Sequence, residues 1–336
     1  MRVLVTGWFS FDTAEVTAGD LLARDTAARW LSEAGVPHDI AVAANFRAPG
    51  DVALDRIDPG GYSDVVFVCG PAAGRLVEDM LARFPHARRL ALGVSVVDGT
   101  GRLPLDVVLE RDSGTAATPD LSLAAPGAGT GPAGAAAGPA PSAGGAGRGG
   151  PAGGARVPVA GVVLSHDQPE YGSRHRLAEA HAVLADVLGS AGAARVLLDT
   201  RLHPREPHLC STAAQVEAAI ARCDVIATTR LHGLVLALKA GVPALAVDPV
   251  AGGGKVSRQA EVLGWPAAAR VGEADAGRLA GWLRWCLSGE ARTVAAAVAG
   301  KAQPALHEAC ERFTALFAPP AGARAISPAA GWPEAT

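Results

Sequence analysis

Two long stretches of this chain repeat one pattern, a short aliphatic run followed by an amphipathic segment, and residues 124–156 between them are almost entirely Ala, Gly, Pro and Ser. Aliphatic runs alternating with helical segments predict right-handed crossovers and a parallel sheet in each stretch. In the first, residues 1–123, strands are expected at Val3–Thr6, Asp39–Ala43, Asp64–Cys69, Arg89–Val97 and Leu105–Leu109. Helices are expected at Asp20–Ala34, which closes at Gly35 with Pro37 beyond it, and near Gly74–Phe84. In the second, residues 157–320, strands are expected at Val159–Ser165, Arg195–Asp199, Asp224–Thr228, Ala244–Val247 and Ala268–Val271. Its helices are expected at Arg174–Leu188, Thr212–Ala221, Leu231–Ala240 and Val256–Leu263, followed by terminal helices at Ala276–Ser288 and Ala291–Phe317. Residues 124–156 cannot bury enough surface to offset their ordering entropy and read as a disordered linker; residues 321–336 read as a flexible tail. The fold class that follows is α/β: two Rossmann-like, doubly wound domains facing a cleft at the carboxyl ends of their strands, where a substrate belongs.

A net charge of −3 gives no general reason to expect nucleic-acid binding, so basic groups acting on an anion must act locally. No run of about 20 apolar residues is free of charges and breakers. The start, Met1-Arg2-Val3-Leu4-Val5-Thr6-Gly7, lacks the apolar length of a leader, and a soluble cytoplasmic protein is expected. The five cysteines, Cys69, Cys210, Cys223, Cys286 and Cys310, include no CxxC pair, which argues against a disulfide framework or structural zinc.

The chemistry concentrates in Thr228-Thr229-Arg230-Leu231-His232-Gly233, after the run Asp224-Val225-Ile226-Ala227 and before a long apolar helix. Here an arginine and a histidine sit where free backbone N–H groups gather at a helix start, a setting that suits an anion. Arg230 offers a two-pronged grip on phosphate or carboxylate, and His232 a proton donor or acceptor near neutral pH. The Gly252-Gly253-Gly254-Lys255 stretch also joins a strand to a helix. It is not a P-loop, since Pro249 stands where glycine is needed and Val256 where Ser or Thr is needed, yet its glycines allow close approach to a ligand and Lys255 could hold an anion. A second tetrad, Thr200-Arg201-Leu202-His203, follows another strand and places Arg201 and His203 at the same sheet edge. Gly19-Asp20 opens the first helix, with Asp20 as its expected N-cap. The GxGxxG dinucleotide pattern is absent, and two prolines break the spacing of His203, Glu206 and His208, so neither a cofactor nor a metal is expected.

Together these residues resemble the polysaccharide pyruvyltransferase family. The strand and turn from Asp224 to Gly233, the Ala240-Gly241-Val242-Pro243 segment and Lys255 carry the resemblance most clearly. Gly7 with Gly19-Asp20, Asp64–Gly70, Gly93–Val97, Glu110-Arg111-Asp112-Ser113 and Pro119-Asp120 look like further family elements. Departures are Cys69-Gly70-Pro71, where members carry more glycine, and the short spacing from Arg111 to Asp120. The resemblance implies a GT-B-like arrangement and transfer of a pyruvyl group from phosphoenolpyruvate to a saccharide, closing a cyclic ketal, in cell-surface glycan biosynthesis. On this reading His232 and Arg230 are catalytic. Arg230, Leu231, Gly233, Lys255, Gly19, Asp20, Arg201 and His203 bind substrate. The first domain holds the acceptor and the second phosphoenolpyruvate. The expected partners are phosphoenolpyruvate and a saccharide or lipid-linked saccharide, the latter reached by peripheral membrane contact, and no nucleic acid. Two other functions fit the same features: a nucleotide-sugar glycosyltransferase whose Arg-His turn grips a diphosphate, and a non-catalytic binder of an anionic sugar.

Overall fold

The computed structural model describes residues 1–95, 103–112, 118–126, 156–166 and 168–318. Most of the expected linker and all of the expected tail, with Ser113, lie outside the described residues.

In the first half, strands β1 (Val3–Gly7), β2 (His38–Ile40), β3 (Asp64–Val68), β4 (Arg88–Val94) and β5 (Val107–Glu110) alternate with helices α1 (Ala18–Glu33) and α2 (Arg75–Ala82). The second half carries β6 (Val159–Val163), α3 (Leu177–Ser190), β7 (Ala194–Leu198), α4 (Ala213–Ile220), β8 (Val225–Thr228), α5 (Leu231–Lys239), β9 (Ala244–Asp248), α6 (Lys255–Val262) and β10 (Ala268–Arg270). Helices α7 (Ala276–Cys286) and α8 (Gly289–Ala315) follow. All pairings within the two sheets are parallel. The first sheet runs β2-β1-β3-β4-β5 and the second β10-β9-β8-β6-β7. Numbered within its own half, each sheet has the same order, and the strand direction of growth reverses between its first and third strands. The fold is therefore α/β with two Rossmann-like halves, and the crevice beyond the carboxyl end of each reversal point is where such sheets bind ligands.

Some boundaries differ from the sequence expectation for identifiable reasons. The strand expected to run through Cys69 stops at Val68, because Cys69 turns into the left-handed region at φ 64°. Helix α3 begins at Leu177 rather than Arg174, since residues Pro169–Arg174 coil as a short 3-10 segment instead. Asp20 is not the N-cap of α1. Thr17 has the extended backbone of a cap, and its hydroxyl accepts the Asp20 N–H at 3.3 Å. Asp20, at the third helical position, reaches back to the Thr17 N–H at 3.0 Å, closing a reciprocal capping box.

The two halves share a core. One apolar cluster runs from Val3, Val5, Leu21 and Trp30 of the first half to Leu231, Leu234, Val235 and Leu238 of the second. Helix α1 is the seam, packed on its own sheet and against α4, α5 and α8. The far end of α8 returns to the first half, where Phe313 packs on Trp30 and the Leu316 carbonyl accepts from Arg88 at 2.8 Å. A separate cluster under α2 (Leu4, Phe67, Val77, Leu81, Phe84) fills the other face of the first sheet. No helix among the described residues is long and apolar enough to cross a membrane.

Candidate active site

The reversal points of the two sheets face one another, and a cavity of about 530 Å³ lies between them. Each wall is made of residues just past a strand end. Trp8, Glu15, Thr17 and Asp20 follow β1, and Gly70, Pro71, Ala73 and Gly74 follow β3. Ser165, His166 and Gln168 follow β6, while Thr229, Arg230, Leu231 and His232 follow β8. Arg111 and Lys255 complete the lining from β5 and β9.

The β8–α5 turn is built by Thr228. Its hydroxyl donates to the Val163 carbonyl at 2.8 Å and accepts the Arg230 N–H at 2.9 Å. A β-carbon on Gly233 would lie 2.2 Å from that hydroxyl, so glycine lets α5 start directly against the strand. Helix α5 has no side-chain cap, and its first turn abuts the cavity. Its N-terminal partial charge therefore falls on whatever occupies that space. Arg230 is engaged by two acids, Asp199 at 2.8 Å and Glu15 from the opposite half. Burial disfavours the charged form of Asp199, but the hydrogen bonds of Arg201 and the charge of Arg230 outweigh it and hold that carboxyl below its usual range.

His232 is 8% exposed and meets the first half on three sides. Its Nδ1 lies 2.7 Å from the Thr17 hydroxyl, and its ring lies so close to Gly19 that a β-carbon there would sit 2.2 Å from the ring. Its Nε2 faces Asp120 at 3.7 Å and the Cys69 sulfur at 3.8 Å. Beneath lies a buried charge cluster. Arg111, 1% exposed, donates to Asp120 at 2.6 Å, Asp112 at 3.1 Å and Ser95 at 2.7 Å. Burial alone would lower the Arg111 pKa, but Asp112 and Asp120 raise it above the usual value. Burial alone would raise Asp120, but Arg111, His232 and the Ser122 hydroxyl hold it well below the carboxylate range. Burial pushes the Cys69 thiol far up, and the charges of Asp20 and Asp120 add to this. Asp20, Cys69 and His232 offer ligand atoms within 4.8 Å of one another. Two of the three are already engaged, since Asp20 accepts from the Thr17 N–H and hydroxyl at 3.0 and 2.6 Å and the Arg111 guanidinium lies 3.6 Å from the Cys69 sulfur.

The structure thus brings Arg230, Leu231, His232, Asp20 and Lys255 to one cavity, with Gly19 and Gly233 as the close approaches that permit it. Lys255 holds its ammonium 5.9 Å from the Tyr171 ring centroid. The backbone of its glycine loop is already occupied. Asp248 accepts the N–H groups of Val250, Gly254 and Ser257 at 3.0, 2.7 and 2.8 Å, taking the place that a bound anion has in a phosphate loop. Arg201 and His203 do not line the cavity. Arg201 pairs with Asp199 at 2.7 Å, and the His203 ring accepts the Arg205 N–H at 3.2 Å. Their tetrad instead joins the two halves. Thr200 O accepts the Ala18 N–H at 2.7 Å, and the Leu202 N–H donates to Val16 O at 2.8 Å, a backbone clasp across the seam.

Thr17, Glu15, Cys69 and Asp199 do not stand out as site residues in the sequence, and Arg111 and Asp120 are marked there by the family resemblance alone, without a role. For Thr17 a signal exists, the Thr-x-x-Asp capping pattern before α1.

Residues 196–249, from β7 through the close of β9, match the family model for polysaccharide pyruvyl transferase, so the resemblance in the sequence is shown over this stretch. No curated protein matches the chain. Among solved structures, the chain is similar to a spinosyn rhamnosyltransferase complexed with spinosyn aglycone (12% identity, 95% of this chain and 100% of that one, TM-score 0.45). It is also similar to the glycosyltransferase SnogD from Streptomyces nogalater (16% identity, 95% and 99%, TM-score 0.39). A third is the Methanocaldococcus jannaschii UDP-GlcNAc 2-epimerase in complex with UDP-GlcNAc and UDP (9% identity, 86% and 93%, TM-score 0.45).

Proposed function

We propose that this chain, whose second half bears the polysaccharide pyruvyl transferase signature, moves a pyruvyl group from phosphoenolpyruvate to a saccharide or lipid-linked saccharide. The observation that carries the reading is a single wall: the start of α5, Arg230, His232 and Lys255 meet at one cavity, opposite a wall on which Trp8, Gly70, Pro71, Ala73 and Gly74 lie beside Glu15, Thr17 and Asp20. Phosphoenolpyruvate puts a phosphate and a carboxylate on a small frame. Arg230, Lys255 and the α5 N-terminus supply cationic and dipolar partners for both. Arg230 gives up Glu15 for the donor, because the two anions compete for one guanidinium.

His232 gives a proton to C3 of the enol, and C2 becomes electrophilic. A sugar hydroxyl adds to C2 and returns its proton to the imidazole. Phosphate then leaves, with its charge met by Arg230 and Lys255, and a second hydroxyl closes the ketal, its proton passing to the departing phosphate. Every atom is accounted for by one phosphoenolpyruvate, two hydroxyls of one acceptor and one released phosphate. The first-half wall, Trp8 and Gly70–Gly74, receives the acceptor. The enzyme acts in the cytoplasm and reaches a lipid-linked acceptor by peripheral contact.

Incubation with labelled phosphoenolpyruvate and a panel of saccharides, run beside nucleotide sugars, tests the reading. Label transfer and phosphate release with the first donor alone are expected. Transfer from a nucleotide sugar only would favour a glycosyltransferase. His232→Gln is expected to lower kcat by about 100-fold or more, and unchanged turnover would remove it from the chemistry. Arg230→Lys is expected to weaken donor binding through loss of the planar fork.

A further inference from the structure

We propose that Thr17 and Asp20 are positioning residues that fix the tautomer of His232 across the seam, so that Nδ1 carries the resident proton and Nε2 is the nitrogen that exchanges with substrate. The inference rests on the reading of His232 as acid and base, and it changes the part given to Asp20 from holding substrate to orienting the imidazole.

The number of available protons decides the tautomer. The Thr17 hydroxyl has one hydrogen and two close partners, Asp20 Oδ2 at 2.6 Å and His232 Nδ1 at 2.7 Å. A carboxylate offers only lone pairs, so the hydroxyl hydrogen goes to Asp20. The contact to Nδ1 is then satisfied only if the imidazole donates. Asp20 is held in that role by a second donor, the Thr17 N–H at 3.0 Å, and by its place in the first turn of α1, where a negative charge is favoured. Among the described residues, Nε2 meets Asp120 at 3.7 Å and the Cys69 sulfur at 3.8 Å; the thiol hydrogen can be donated to an unprotonated Nε2, which fits a proton resident on Nδ1, and the ring lines the cavity where substrate would exchange the other. A carboxylate that dictates which imidazole nitrogen is free is the device of the serine-protease triad, here with a hydroxyl between the two.

Two further features serve the same geometry. Gly19 has no side chain, which lets the ring settle on the start of α1. Thr17 is itself clamped from the second half, since its neighbours Val16 and Ala18 pair with Leu202 and Thr200. The imidazole belongs to one half and its tautomer lock to the other, so the proton-transfer group is complete only where the halves are docked.

Nitrogen NMR of protein labelled in its nine histidines reads this directly. The His232 signals are assigned by their loss in His232→Gln, and spectra are taken above the end of its titration. The expected result is a proton on Nδ1 in the parent and in Thr17→Ser, and a shift to the Nε2–H form in Asp20→Asn, whose amide can donate to Thr17 and turn its hydroxyl toward the ring. Asp20→Asn is also expected to lower kcat by about 10²–10⁴ while the KM for phosphoenolpyruvate stays within about threefold, and Thr17→Ser to keep near-parental kcat. A parent with the proton on Nε2, or an Asp20→Asn protein with an unchanged tautomer, overturns the proposal. Because the NMR reading needs no donor, failure of phosphoenolpyruvate as substrate and failure of the tautomer lock are seen separately. Thr17→Ser keeps the cap of α1, which leaves the test intact if bulkier changes unfold the helix.

Discussion

Arg111 and Asp120 are almost fully removed from water, and neither charge would be tolerated there without the other. Asp120 also accepts the Ser122 N–H and hydroxyl at 2.9 and 2.6 Å, so its lone pairs are well used. Asp120→Asn is expected to destabilise the fold by about 3–5 kcal/mol, because it leaves Arg111 underpaired in a dry site; urea unfolding measures this. The acid limb of stability carries the same signature. The folded pKa of Asp120 lies below its unfolded value, so its contribution is complete above the ordinary carboxylate range and fades as pH falls toward the lower, folded value. The loss of stability on acidification should therefore be shallower in Asp120→Asn than in the parent. At the mouth of the cavity, Glu15 is a partly exposed competitor for Arg230. Glu15→Gln should tighten the binding of phosphoenolpyruvate by about two- to fivefold, the worth of an exposed ion pair, and titration calorimetry would detect no change if the contact were idle. These residues also show what sequence can and cannot disclose. Arg230 and His232 were legible because strand, turn and helix are local and put them together whatever the rest of the chain does. Thr17 meets His232 across 215 positions, and Arg111 and Asp120, nine positions apart, share no periodicity that would pair them, so nothing short of the three-dimensional path does.

Among the elements, the β9–α6 connection differs most from its sequence appearance. Three glycines and a lysine suggest a loop waiting for phosphate, but Asp248, the last residue of β9, folds back to fill it. One carboxylate acts as helix cap and ligand together, also accepting the Ser257 hydroxyl at 2.8 Å. The glycines were visible in the sequence; that the anion is internal was not, because Asp248 reads simply as a strand end. Asp248→Ala should cost about 2–3 kcal/mol through the orphaned N–H groups. It should also weaken donor binding, since Lys255 begins the helix that this cap positions; thermal unfolding and donor titration check the two effects. Most other elements were plain from aliphatic runs with breakers between them. The exception at β3 is instructive, since Cys69 looks like one more apolar strand residue until its left-handed backbone turns the chain into the cavity floor.

At the scale of the whole molecule, two sheets of identical strand order do not behave as two independent bodies. The apolar cluster along α1 is continuous from one to the other, and α8 ends on the half opposite to the one that precedes it. Sequence patterning predicted each sheet, because periodicity records which face of an element is buried. It does not record against which partner, so the shared seam was not legible. Urea unfolding should accordingly show one cooperative transition by both far-ultraviolet dichroism and tryptophan fluorescence. Phe313→Ala should lower the midpoint, with a loss of about 3–5 kcal/mol, without splitting it in two. Separate transitions for the halves would contradict the shared core.

The backbone clasp between residues 16–18 and 200–202 bears on how the enzyme turns over. Jaws that are stitched together beside the reacting group cannot gape to admit a bulky glycan without unpicking peptide hydrogen bonds. Any hinge that parted the two sheets along this edge would have to break the pair of peptide hydrogen bonds joining Ala18 to Thr200 and Leu202 to Val16.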